Sequence, residues 1–238
     1  MKRGRMVYEG KAKRLFEVEQ PDVFLVEFKN DATALNGEKK GQIEHKGELN
    51  NHISTAFFHV LENAGIATHF VETVSDTEML VKKVEIIALE VVTRNIAAGS
   101  LAKRLGLEEG TVLSRPVVEF YYKNDALGDP LINRSHALAM GFATRIEIDY
   151  LEDQALKINQ ILREFLLARD LTLVDFKLEF GRLNTGELVL ADEISPDTCR
   201  LWDVYSQEKL DKDRFRRDLG GVTEAYQEIW RRVGGTNA

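Results

Sequence analysis

Apolar and charged residues alternate along Leu173-Val174-Asp175-Phe176-Lys177-Leu178-Glu179-Phe180-Gly181. A period of two belongs to a strand, with Val174, Phe176, Leu178 and Phe180 toward a core and Asp175, Lys177 and Glu179 on the opposite face. A half-solvated surface strand has the same pattern, so the alternation leaves open whether the charged face meets water or a site. Turn residues Asn184-Thr185-Gly186 lead into a second apolar run, Glu187-Leu188-Val189-Leu190-Ala191, and then into Asp192-Glu193-Ile194-Ser195-Pro196-Asp197. The pair predicts a hairpin that gathers carboxylates around Lys177. Acidic oxygens at strand ends suit Mg²⁺, which takes one or two carboxylates together with substrate phosphates.

Elsewhere the pattern alternates between strands and helices. Residues 8–18 read as two strand halves about Gly10, and residues 23–28 as a strand opened by Pro21-Asp22. Leu49, Ile53, Phe57, Val60, Leu61 and Ala64 recur at helical spacing, with Gly65 placed to end the helix. Apolar runs at 79–81 and 86–92 flank Lys82-Lys83, and 117–122 reads as a further strand. Leu151, Ala155, Ile158, Leu162, Phe165 and Leu166 mark one face of a long helix. Val222, Ala225, Tyr226, Ile229 and Val233 mark a last one, ended by Gly234-Gly235. A strand-rich part thus meets a mixed part, with the expected border between residues 82 and 85.

Composition narrows the class. The chain has 238 residues, 44% of them hydrophobic, and only 4 prolines, enough to bury a sizeable core. A formal charge of -7 argues against nucleic acid or an anionic membrane as the main partner and toward a small ligand. The single cysteine, Cys199, excludes an internal disulfide; it reads as a small buried residue in a reduced, cytoplasmic setting. No apolar segment reaches the roughly 20 residues that span a bilayer, and the basic start Lys2-Arg3-Gly4-Arg5 has no apolar stretch behind it.

Candidate chemistry lies in several short segments. Gly10-Lys11-Ala12-Lys13 fits a phosphate-contacting turn or a solvated one, and the chain has neither GxxxxGK[ST] nor GxGxxG to decide between them. Arg94-Asn95-Ile96-Ala97-Ala98-Gly99-Ser100 joins a strand to a helix. Arg94 and free N–H groups there suit an anion, and Ser100 equally suits a plain N-cap. Arg200 has the acidic end of the hairpin as a partner. Asn124, Asp125 and Asp129-Pro130 read as a turn without decisive chemistry. His45, His52, His59, His69 and His136 show no metal spacing and read as surface or packing residues. Asp211-Lys212-Asp213-Arg214 and Arg216-Arg217 read as a solvated helix face.

Together these segments, in this order, closely resemble the SAICAR synthetase family, ligases of purine synthesis, over nearly the whole chain. One departure is Ala88, where the family usually has proline; it bears on strand geometry rather than on a reacting group. The resemblance implies an α+β fold of two lobes. An antiparallel, β-rich N-terminal lobe (1–84), like the small lobe of protein kinases, faces a larger mixed α/β lobe (85–238), with ATP in the cleft. It implies that ATP, the carboxylate of carboxyaminoimidazole ribonucleotide (CAIR) and L-aspartate give the succinocarboxamide, ADP and phosphate through an acyl phosphate. Lys11, Ala12 and Lys13 would then contact ATP phosphates, and Val81 and Lys82 would lie against adenine. Glu179 and Asp192 would hold Mg²⁺, Arg94, Ser100 and Arg200 the CAIR phosphate, and Asp175 and Lys177 would stand at the reacting carboxylate. A homodimer or higher homo-oligomer is implied too. A small-molecule kinase that stops at phosphoryl transfer, and a non-catalytic nucleotide-binding regulator, are the alternatives.

Overall fold

Gly10 turns the chain between β1 (Met6–Glu9) and β2 (Lys13–Glu17), the first of a series of antiparallel pairings in the computed structural model, which describes residues 2–34 and 38–234. Gly235, expected at the end of the last helix, lies outside the described residues. β2 pairs with β3 (Val23–Phe28), and β3 with β7 (Glu78–Lys82), itself bordered by β6 (Phe70–Ser75); the order is β1-β2-β3-β7-β6. A small hairpin, β4 (Asp31–Ala34) with β5 (Lys39–Gln42), stands apart from this five-stranded sheet.

The chain leaves that sheet at Lys82 and enters a six-stranded one at Glu85. β8 (Glu85–Ile96) lies between β9 (Val112–Tyr122) and β11 (Leu171–Arg182), and the short β10 (Leu131–Ile132) borders β9. On its other edge β11 pairs at one end with β12 (Leu188–Ala191), the expected hairpin, and at the other with β13 (Cys199–Asp203). The change of sheet falls at residues 83 and 84. The β8–β11 ladder is irregular between Ile86 and Glu90, the stretch that contains Ala88.

Helices close the core. α1 (Lys46–Asn63) ends where Gly65 takes φ +84°, a conformation open to glycine, and its Phe57, Phe58 and Leu61 are buried. α4 (Arg145–Leu167) starts at a reciprocal cap: Thr144 Oγ1 accepts from Glu147 N at 3.2 Å and Glu147 Oε2 from Thr144 N at 2.6 Å, worth about 1 kcal/mol. Its face Leu151, Ala155, Ile158 and Leu162 packs on β11 and shares one cluster with Phe176, Leu178 and Phe180. Each of these leucine, isoleucine and phenylalanine side chains contributes about 1.5–3 kcal/mol by leaving water. α2 (Gly99–Leu105), α3 (Arg134–Ala139), α5 (Asp213–Arg216) and α6 (Val222–Val233) complete the α+β fold. No helix among the described residues is long and apolar enough to cross a membrane.

Two expectations about these elements are corrected. Val174 does not join Phe176, Leu178 and Phe180; it packs with Ala98 and Trp202 in a separate small cluster, while Leu173 joins the main core. The β11–β13 register shifts between Leu173 and Asp175, and such an irregularity breaks strict alternation. Ser100 is not the N-cap of α2. Ala98 takes that position without a side-chain bond, and Ser100 lies in the first turn.

Candidate active site

A cavity of about 410 Å³ opens between the two sheets. Leu15, Phe24, Val26 and Val81 of the five-stranded sheet give it apolar lining. Lys177 and Glu179 of β11, Glu90 of β8 and Asp192 after β12 give it charge. The sequence-predicted residues Lys11, Ala12, Lys13, Val81, Lys82, Lys177, Glu179 and Asp192 all line this one space.

The charges interlock. Lys177 Nζ lies 2.6 Å from Glu179 Oε1, 2.9 Å from Glu90 Oε1 and 3.9 Å from Asp192 Oδ2. Lys123 Nζ also reaches Glu179, at 2.9 Å, while Lys13 Nζ pairs with Asp192 and stands 3.3 Å from Glu193. Burial opposes the Lys177 charge, yet Glu179, Asp192 and Glu90 outweigh it and hold its ammonium well above the ordinary lysine value. For Asp192, burial works against ionisation, and Lys13, Lys177 and Lys123 reverse it and hold the carboxyl below the usual range. Asp192 also has φ +63°, an uncommon backbone state for a residue with a side chain.

Along the same face of β11, Asp175 enters a second cluster. Its Oδ2 accepts from Arg94 Nη1 at 2.7 Å and from Arg200 Nη1 at 2.8 Å, joining two arginines far apart in sequence. Arg94 Nη2 donates to Ser100 Oγ at 3.2 Å and to Tyr121 Oη at 2.9 Å, and its Nε to Glu119 Oε2 at 2.6 Å. Arg200 Nε is held by Asp213 Oδ2 at 3.0 Å. The structure therefore brings together Arg94, Ser100 and Arg200, and places Asp175 among them rather than beside Lys177. This cluster does not line the cavity; it stands beside it, two residues along one strand, a distance of about 7 Å.

Some site neighbours escape a sequence reading. Asp211 and Asp213 are buried, not on a solvated face: Asp213 holds Arg200 and Arg216, and Lys212 Nζ lies 3.3 Å from Asp197. Arg200 pairs with Asp175 and Asp213 rather than with the acidic end of the hairpin. His69, read as surface or packing, is buried and lines the cavity, and its Nε2 donates to the Asp192 carbonyl at 3.1 Å. Lys123, Asp125 and Asp129 line it too, and Asp125 pairs with Lys11 at 2.7 Å. These residues carry no motif; only the pairing of distant strands and turns unites them. Cys199 is buried, and burial pushes its thiol up, so it is a packing residue as expected.

The model of the SAICAR synthetase family matches residues 6–233. This chain belongs to the SAICAR synthetase family. It is 61% identical over 229 residues to the phosphoribosylaminoimidazole-succinocarboxamide synthase of Coprothermobacter proteolyticus, a match over 96% of this chain and 97% of that protein. To the synthase of the same name from Brevibacillus brevis it is 61% identical over 235 residues, 99% of this chain and 98% of the other. Among solved structures, that of the Ehrlichia chaffeensis synthase superposes with a TM-score of 0.96 at 45% identity, covering 98% of this chain and 100% of that one. A SAICAR synthetase in complex with ADP superposes with a TM-score of 0.93 at 50% identity, covering 97% and 98%. The architecture of this family member is thus shared end to end with those SAICAR synthetases.

Proposed function

We propose that the chain joins L-aspartate to the carboxylate of CAIR with cleavage of ATP to ADP and phosphate, a ligation of purine synthesis. The observation that carries this reading is the charged face of β11. Its Asp175 stands in an arginine cluster fit for a phosphate-bearing substrate, and its Lys177 and Glu179 stand in a cavity fit for a nucleotide. Two phosphate-carrying reactants are thereby held side by side on one rigid strand.

In this reading the β-rich part (1–84) and the larger part (85–238) are two lobes with ATP between them. Val81 and Lys82 border adenine, and Lys11, Ala12 and Lys13 approach the phosphates. Glu179 and Asp192 both reach Lys177, so their carboxylates border one point of the cavity. Mg²⁺ held by two carboxylates would draw its remaining oxygens from phosphates and water. Glu179 and Asp192 would hold that ion, and its chemistry there is to neutralise phosphate charge. Arg94, Ser100 and Arg200 grip the 5′-phosphate of CAIR.

The reaction runs in two displacements. An oxygen of the CAIR carboxylate attacks the γ-phosphorus and ADP leaves, so that a poor acyl donor becomes an acyl phosphate. The aspartate amine then attacks the acyl carbon, phosphate departs, and the amine loses a proton. Lys177 offsets charge as the phosphoryl group moves, and Asp175 orients the arginines beside the reacting carboxylate. A homodimer or higher homo-oligomer, which the family suggests, and a reduced cytoplasmic setting, which a single cysteine fits, belong to the same reading.

The test is ADP release from Mg-ATP and CAIR, with and without L-aspartate, while the succinocarboxamide is followed. ADP and product arising together, only with aspartate, is the expected result. Aspartate-independent ADP release with a phosphorylated product overturns it in favour of a kinase.

A further inference from the structure

His69 bonds to both sheets at the rim of the nucleotide cavity. Its N–H donates to Leu190 O at 2.8 Å, its C=O accepts from Lys82 N at 2.7 Å, and its Nε2 donates to Asp192 O at 3.1 Å. Lys82 ends β7, and Leu190 lies in β12 two residues before Asp192. The imidazole is buried, edge-on to Phe58 at 5.5 Å between centroids. A carbonyl has no proton to give, so the proton of this bond sits on Nε2. Burial, and then the charge of Lys13, keep the ring from taking a second proton.

The bonded carbonyl belongs to the residue with φ +63°. A left-handed backbone costs an L-residue about 1–2 kcal/mol and persists only where its surroundings hold it. The Asp192 side chain is engaged with Lys13, so it is His69 that grips the main chain of this residue. The ring also spans a gap in sequence between 69 and 192, so the restraint is tertiary and independent of the hairpin turn.

We propose that His69 is a positioning residue for the metal-bound nucleotide: by holding the Asp192 carbonyl it fixes the backbone state that turns the Asp192 carboxylate into the cavity. The inference rests on reading the cavity as the ATP site with Asp192 as a Mg²⁺ carboxylate. His69 touches no reacting atom in this role; it acts through Asp192.

The test is calorimetric binding of ADP to the full chain, once with Mg²⁺ and once with EDTA. Loss of one neutral hydrogen bond corresponds to about tenfold in affinity. His69→Phe is expected to weaken ADP binding by about that factor with Mg²⁺ and to leave binding in EDTA nearly unchanged. His69→Gln, which keeps a donor, is expected to recover most of the loss. Equal weakening in both conditions, as from a general structural defect, overturns the proposal, and so does no weakening in either. Should the Phe variant fail to fold, the wild-type chain decides. A long-range ¹H–¹⁵N spectrum with the His69 proton on Nε2 supports the proposal, and a proton on Nδ1 alone overturns it. Wild-type protein that binds ADP no better with Mg²⁺ than with EDTA would instead break the reading of the site itself, whatever the variants do.

Discussion

Asp175 and Lys177 share a strand face yet face opposite electrostatic problems. Asp175 is a carboxylate between two guanidinium groups, whereas Lys177 is an ammonium among three carboxylates that hold it well above the ordinary lysine value. An isolated buried charge would be far too costly, so neither site is a place where a neutral side chain is a small change. Lys177→Ala is expected to lower kcat by at least about 100-fold, the usual scale for removing a charge aimed at a transition state, with CAIR affinity much less affected. Steady-state kinetics at saturating ATP checks it, and near wild-type turnover would remove Lys177 from the chemistry. Asp213 acts one step back in this proposal, since it touches Arg200, a proposed CAIR ligand. Asp213→Asn should raise the KM for CAIR by roughly tenfold with a smaller change in kcat, because it loosens the Arg200 guanidinium without removing it. An unchanged KM would show that Arg200 needs no such support.

At the scale of elements, the long periodic segments were legible and the joints were not. Leu49 to Ala64 and Leu151 to Leu166 carry enough apolar repeats to specify α1 and α4, and Gly65 marks an end that only a residue free at positive φ takes readily. The start of α2 carries no such signal: Ala98 caps without a side chain, so Ser100 looked like the cap while its hydroxyl was committed to Arg94. The register shift at Leu173 and Asp175 is equally silent, because period alone does not show where a ladder slips. The joint before α2 also offers a test. Gly99 has φ +52°, and a Cβ built on it would overlap the Arg200 guanidinium, 2.9 Å from Cζ. Gly99→Ala should therefore destabilise the fold by about 1–2 kcal/mol and also weaken CAIR binding, since the displaced group is a proposed phosphate ligand. Denaturant melts and CAIR titration read the two effects separately; a loss of stability with intact CAIR binding would show that Arg200 can move without cost to the site.

For the whole molecule, a formal charge of -7 says nothing of where the acids lie. Ion pairs hold the buried Asp175, Glu179 and Asp213, and the run at 211–217 looked solvated because a local charge pattern does not show that Arg200 and Asp197 fold back onto it. This distribution has a consequence for stability against pH. Arg200 and Arg216 overcome burial to hold Asp213 down at about 2, and Arg182 with the Thr144 cap holds Glu147 at about 2. For these acids the unfolded chain binds more protons between pH 4.5 and 2, so their stabilisation is complete above that window and is lost as pH falls through it. Asp211 has the opposite sign. Burial, and then the charge of Asp213, push it up to about 7, and its oxygens meet only the N–H groups of Leu201 and Asp213. Between pH 4 and 7 the folded state binds the extra proton, so stability contributed by Asp211 is full at the acid end and declines as pH rises toward 7. His69, held down at about 3 by burial and then by Lys13, opposes this: between pH 3 and 6.5 the unfolded chain binds the extra proton there, so that contribution rises with pH. Asp211→Asn removes only the falling contribution, so its urea midpoint is expected to gain on that of the wild type as pH rises from 4 to 7, with the acid limb left in place. Because the two groups act with opposite sign over this range, the difference between variant and wild type isolates the carboxyl; a difference that stays constant from pH 4 to 7 would show that Asp211 is not raised.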